Sequence, residues 1–259
     1  MVVVQTDKWL LDCYDDPIRL CEKLEVYFGG ISAFEIYDYL TMHGMYRPLK
    51  RGIGNIKKLR NNNVWEVVQD GIERLQKKWD GPDIPVFIFP SDSTNRELIR
   101  NFNGKSGLAY KDKLLLFLSP NNVKKEIEAL LTHEYNHVCR LNQYEKDVNE
   151  YVLLDTIILE GLAEQAVDEQ IGTDYLASWT TFYTNKQLKD MWQDLIFPNR
   201  HVPKEFPEHD ELLYGISPYP KMAGYSTGYY LIKQYVKRYP FSCKDLLSVP
   251  SEQIIKGMK

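Results

Sequence analysis

The succession of apolar patterns along the chain predicts an α+β fold. Helical spacing governs the stretch up to residue 79. Short β-rich apolar runs then cluster between residues 84 and 119. Long apolar helical patterns fill much of the remainder. Together these predict a helical N-terminal subdomain over 1–82 and a second domain over 83–259 that holds a small sheet and the longest helices.

Taken in order, residues 7–28 read as helical. Trp9, Leu10, Cys13, Ile18, Leu20, Leu24 and Phe28 fall at roughly helical spacing, and "FGG" at 28–30 ends the run. A second helix is predicted over 33–42, stopped by Gly44. A third starts near Asn62 or Asn63, carries Val64, Trp65, Val67, Val68, Ile72 and Leu75, and ends before "DGP" at 80–82. "IPVFIFP" at 84–90 is a buried strand between prolines. "SGLAY" at 106–110 and "KLLLFLS" at 113–119 predict two strands joined by a turn at Lys111 and Asp112. Ser119 and Pro120 then signal a helix start, with helix expected over 122–142. Further helices are expected over 152–170 and 223–239, separated by a long irregular loop at 193–220.

Composition excludes several classes. Hydrophobic residues make up 44% and charged residues 26%, an ordinary globular balance. The net charge of −4 argues against a nucleic-acid partner, because such proteins present a basic face. The one basic stretch, "RPLKRGIGNIKKLR" at 47–60, reads as a solvated helix face and loop. The four cysteines show no metal-ribbon or redox spacing, and Cys139 lies in an apolar helix pattern as a buried thiol. No signal peptide and no bilayer-length apolar run is evident, so no membrane partner and a cytoplasmic location are expected. Aromatics are rich at 13%, with 18 tyrosines, which suits a groove with amphipathic walls.

The chemistry lies in "LTHEYNH" at 131–137. His133 and His137 are four residues apart on a helix, about 40° apart in projection, so both can reach one ion. Glu134 is displaced by one residue's rotation, placed to take a proton from water beside that ion. Ile127, Leu130, Leu131, Val138 and Leu141 make the helix largely buried, where two histidines and a glutamate are expensive unless something pairs with them. The next helix, "LLDTIILEGLAEQAV" at 153–167, offers Glu160 among Ile157, Ile158, Leu159, Leu162 and Ala163. A carboxylate in that setting needs a cation or a donor, so Glu160 is the expected third ligand. Glu164, one turn on, would accept from the far nitrogen of a ligating histidine, with Asp155 a weaker choice for that task. Two imidazoles and a carboxylate suit one Zn²⁺ per chain.

"HEYNH" followed, after 22 residues, by the Glu of "LEGLAE" resembles the gluzincin metallopeptidases. More closely, "NGKSGLAYKDKLLLFL", "LLTHEYNHVCRL", "LLDTIILEGLAEQAV" and "GYSTGYYLIKQY" resemble the YjaZ-like family of predicted zinc-dependent proteases. The resemblance implies a gluzincin-like core over 83–259 and hydrolysis of peptide bonds in a peptide or protein substrate. The gap before Glu160 is longer than in many gluzincins, which leaves Glu164 as the alternative ligand. In gluzincin aminopeptidases a Tyr-x-x-Gly stretch supplies an oxyanion donor, and Tyr225 with Gly228 matches it. Tyr229 and His209 are the substitutes, His209 because other gluzincins use a histidine. The strand at 106–110 would lie above the metal, with Gly107, Leu108 and Ala109 closest to an added peptide backbone. Two other readings stay open. One is a zinc-holding regulatory module without peptidase activity; the other is a metallohydrolase acting on a small amide or ester.

Overall fold

The computed structural model describes residues 3–50 and 52–256; Met1, Val2, residues 257–259 and Arg51 of the basic stretch lie outside them. The chain is α+β. In order the elements are α1 (Thr6–Cys13), α2 (Pro17–Glu22), α3 (Ala33–Met42), α4 (Ile53–Asn61), α5 (Val64–Trp79), β1 (Val86–Pro90), α6 (Arg96–Phe102), β2 (Ser106–Ala109), β3 (Leu114–Leu118), α7 (Lys124–Gln143), α8 (Leu153–Gln170), α9 (Asn185–Met191), α10 (Phe197–Asn199), α11 (Pro207–Tyr214), α12 (Ala223–Arg238), α13 (Cys243–Leu246) and α14 (Ser251–Lys256). Two compact units emerge, residues 1–138 and 139–259, and α7 runs unbroken through their boundary.

In the first unit, β3 is the central strand. β1 pairs with it in parallel and β2 antiparallel, in the order β1-β3-β2. Every residue of β1 and β3 is buried, as their unbroken apolar runs demand. Phe87, Phe89 and Phe117 are fully enclosed, each removing enough apolar surface from water to contribute about 1.5–3 kcal/mol. β2 is the edge strand, half-exposed at all four residues. The helices before residue 82 belong to the same compact unit as this sheet. α1 is fastened to β1 by the Thr6 hydroxyl, which donates to the Ile88 carbonyl, and by the Trp9 ring 6.3 Å from Phe87. α3 begins on a capping box of Ser32 and Glu35. It lies against β2 through Ser106 Oγ, which donates to the His43 carbonyl at 2.8 Å, and Tyr110 Oη, which donates to Tyr39 Oη at 3.0 Å. α5 buries Val64, Trp65, Val68, Ile72, Leu75 and Trp79 along one stripe. Its Gly71 allows close approach to Leu131 of α7, and Trp79 stacks on Tyr135 at 6.1 Å.

Local chemistry moves several expected boundaries. The helix expected over 7–28 is broken at Asp16, whose side chain accepts the Arg19 N–H ahead of Pro17, so two short helices and a 3-10 turn replace it. α7 starts four residues beyond Pro120. Asn122 Oδ1 accepts the Ser119 N–H at 2.8 Å, and Glu126 Oε2 accepts the Val123 N–H at 2.9 Å, so a turn precedes the helix.

In the second unit, α8 and α12 pack backbone to backbone. A Cβ on Gly161 would strike the Gly228 carbonyl, and one on Gly228 would strike the Ile157 carbonyl. α8 is buried on nearly every side from Leu153 to Val167, which explains its apolar character all round. The expected irregular loop at 193–220 instead holds a π turn (Trp192–Ile196), α10 and α11. Gly215 ends α11 with φ of 67°, a left-handed value that favours glycine, and a Cβ there would strike the Pro220 carbonyl. Cys13, Cys21, Cys139 and Cys243 are free and buried. Among the described residues no helix is long and apolar enough to cross a membrane.

Candidate metal centre

The histidines of "HEYNH" fall in the middle of α7. His137 is buried and His133 partly exposed; their rings stand nearly perpendicular at 88° with centroids 4.7 Å apart. Glu160 lies near the middle of α8, half-buried between the half-buried Leu159 and the buried Gly161. One ligand atom from each of His133, His137 and Glu160 lies within 4.8 Å of the others. Three neutral or anionic donors converging that closely can share one cation.

Glu134 is also buried, and its side chain is pressed against the β2 edge strand. A Cβ built on Gly107 would come 2.5 Å from Glu134 Cδ and 2.7 Å from Oε1. Only a glycine at 107 leaves the carboxylate that room. Gly107 and Ala109 share one face of β2, and Ser106 and Tyr110 the other, so α7 and α3 flank opposite faces of the strand.

Leu108, half-exposed, falls on the Ser106 face of β2, and the remaining expected residues are all in the second unit. Glu164 is buried one turn beyond Glu160 and accepts the Ala177 N–H at 2.5 Å, tying α8 to the segment that follows it. Tyr225, in the first turn of α12, is partly exposed between two rings, Trp179 at 5.3 Å and Tyr214 at 5.6 Å. Tyr229, one turn on, is buried; it donates to Asp168 at 2.9 Å and accepts from Lys233 at 2.9 Å. Burial, reinforced by the Asp168 carboxylate, pushes its phenol far up. His209 sits on α11 rather than in a loop, almost wholly buried. Nε2 is 2.9 Å from Thr156 Oγ1 and Nδ1 is 2.9 Å from Asp210 Oδ1.

Tyr214 is a residue that sequence reasoning passed over. It is hydrogen-bonded to Tyr225, and burial together with the nearby Glu160 carboxylate raises its phenol. It ends α11, and the chain beyond Gly215 folds back so that Met222 N–H donates to the Tyr214 carbonyl at 2.7 Å. The contact joins residues distant in sequence from Glu160, so one tyrosine among 18 carries no local signal of it.

The three side chains could hold a metal ion, and comparison with known sequences places the chain in a family. The chain belongs to the family described as Predicted Zn-dependent protease (DUF2268), whose model matches residues 64–256. It is 40% identical over 263 residues to the uncharacterized protein YjaZ of Bacillus subtilis (strain 168), covering the whole of both chains. It is also 21% identical over 246 residues to the uncharacterized protein YjfC of Bacillus subtilis (strain 168), covering 88% of this chain and 80% of that one. No solved structure matches.

Proposed function

We propose that this chain is a zinc-dependent metallopeptidase with a gluzincin-like core, His133, His137 and Glu160 being the ligands of one zinc ion. The observation that carries the reading is the convergence of those three side chains, with Glu134 of the same helix turn seated beneath the β2 edge. The donor set fits: two imidazoles and a carboxylate occupy three of four tetrahedral positions and leave one open. Bound zinc would make a water acidic near neutral pH and polarise the carbonyl to be attacked.

The chain's own groups supply the rest. An extended peptide adding to β2 would be held by backbone hydrogen bonds, with Gly107, Leu108 and Ala109 beside it. Glu134 takes the proton from the attacking water and passes it to the leaving amine. Tyr225 is the group that donates to the oxyanion, since it is partly exposed and beside Tyr214, whereas Tyr229 is buried against Asp168 and Lys233. His209 supports the site from the interior through Thr156, and Glu164, which holds the Ala177 N–H, would also orient a histidine ligand.

The deciding experiment compares wild type with Glu134→Gln on a peptide library, with zinc content measured for both. Cleavage by wild type, loss of cleavage in the variant and equal zinc support the reading. Stoichiometric zinc with neither protein cleaving peptides sinks it, and would favour the interaction-module reading. His137→Ala must lose the metal; retention would overturn the ligand assignment.

A further inference from the structure

α7 and α8 carry the three ligand residues, and a buried ionic relay ties the end of one to the start of the other. Arg140, three residues beyond His137, is wholly inaccessible to solvent. Its Nη1 donates to three carbonyls of the C-terminal segment, Leu246 at 3.0 Å, Leu247 at 3.1 Å and Val249 at 3.0 Å. Its Nη2 donates to Ser251 Oγ at 3.1 Å. Ser251 in turn donates to Asp155 Oδ1 at 2.7 Å, and Asp155, 3% exposed, lies five residues before Glu160 in α8. Lys146 and Tyr144 close the cluster, donating to Asp155 at 2.6 Å and 3.1 Å, and the guanidinium lies 4.4 Å over the Tyr144 ring.

A guanidinium buried without a directly bonded carboxylate is held only by its acceptors, and four of them come from residues 246–251. Along the helices, the tie is about 4.5 Å of rise from His137 and about 7.5 Å from Glu160. The tie and the ligands thus share the same two helices.

We propose that Arg140, Ser251 and Asp155 are positioning residues for the metal centre, and that the C-terminal segment Leu246–Ser251 is the clasp through which they act. The inference rests on the metal-binding reading above. It predicts that loosening the clasp weakens zinc binding in a chain that still folds.

The test is the zinc dissociation constant of the full chain, measured by competition with a chromophoric chelator, alongside circular dichroism and thermal melting of the metal-free protein. Ser251→Ala removes the link between Arg140 and Asp155 while leaving the carbonyl contacts. Arg140→Met removes the whole tie. The expected result is zinc binding weakened about 10–100-fold in Arg140→Met and by less in Ser251→Ala, each with native helical content. Arg140→Lys, which keeps the charge and some donors, should recover part of the loss. If Arg140→Met does not fold, Ser251→Ala alone decides. A folded variant that melts earlier yet binds zinc as tightly as wild type overturns the inference, leaving a purely structural fastening. If wild type itself binds no zinc, the metal reading falls and takes the inference with it.

Discussion

Replacing Gly107 with alanine adds one methyl group at the point where the edge strand meets Glu134. The new Cβ would stand 2.5 Å from Glu134 Cδ, whereas ordinary contact begins at 3.4 Å, so about 0.9 Å must be found. Glu134 is 9% exposed and packed on a helix whose inner face is full, so its side chain has little room to retreat. Either the carboxylate or the strand moves by about 1 Å. Displacement of that size at the group proposed to handle the proton is expected to lower kcat/KM about 100-fold. Overpacking would cost about 1–3 kcal/mol of stability, and zinc stoichiometry should be unchanged because no ligand is touched. The assay is steady-state cleavage of the best peptide found for wild type, with zinc content and melting measured on the same preparations. Gly54→Ala is the control: it lies exposed within α4 with nothing within 4 Å of the added methyl, and should retain full activity with a gain of about 0.5–1 kcal/mol. If Gly107→Ala cleaves as well as wild type, the strand does not define the position of Glu134 and the reasoning fails.

Three more outcomes follow from the same geometry. Tyr225→Phe should lower kcat about 10–100-fold with KM little changed, whereas Tyr229→Phe, whose hydroxyl serves Asp168, should show in melting temperature and leave kcat within a few-fold; the reverse pattern would exchange their roles. Gly228→Ala drives a methyl into the Ile157 carbonyl and should cost at least about 2 kcal/mol, a fall of several degrees in Tm by calorimetry; an unchanged Tm would refute the close α8–α12 contact. Asp155 has its carboxyl held below the usual range: burial opposes ionisation, and the bonds from Lys146, Ser251 and Val152 N–H outweigh it. Its contribution is therefore complete above the unfolded carboxylate value of about 3.9 and is lost as pH falls through the lower folded value. Melting curves of wild type should steepen in their acid decline over that window relative to Asp155→Asn, and parallel curves would refute the assignment.

Much of the architecture was legible because its elements are long or uninterrupted. α5, α8 and α12 hold patterns too long to misread, and β1 and β3 are unbroken apolar runs between turn signals. Short helices were not legible, though their signals were present. α11 carries Pro207 at its start and acids in its first turn, but the surrounding prolines made the whole stretch read as loop. α6 has Asn95 as its cap, accepting the Leu98 N–H at 3.0 Å, ahead of only seven residues. At the site, "HEYNH" and Glu160 could be read because helical spacing and an apolar setting constrain them. Tyr214 and the Arg140 relay could not be read, because each depends on a return of the chain over a distance that no local pattern encodes.

An open sheet edge serves any strand that reaches it, including one from another copy of the same protein. β2 is such an edge, and its dimensions bear on colloidal behaviour. Four residues offer few backbone groups, one of them a glycine with no side chain to zip against a neighbour. Lys105, ion-paired with Glu126, and Lys111 bracket the strand, and lysines beside an edge are one of the ways a sheet is kept from pairing with another. On the proposed reading the strand would hold a peptide in passing, while its short length limits pairing with another copy. If so, solubility and substrate access would both be set by the same short length of chain.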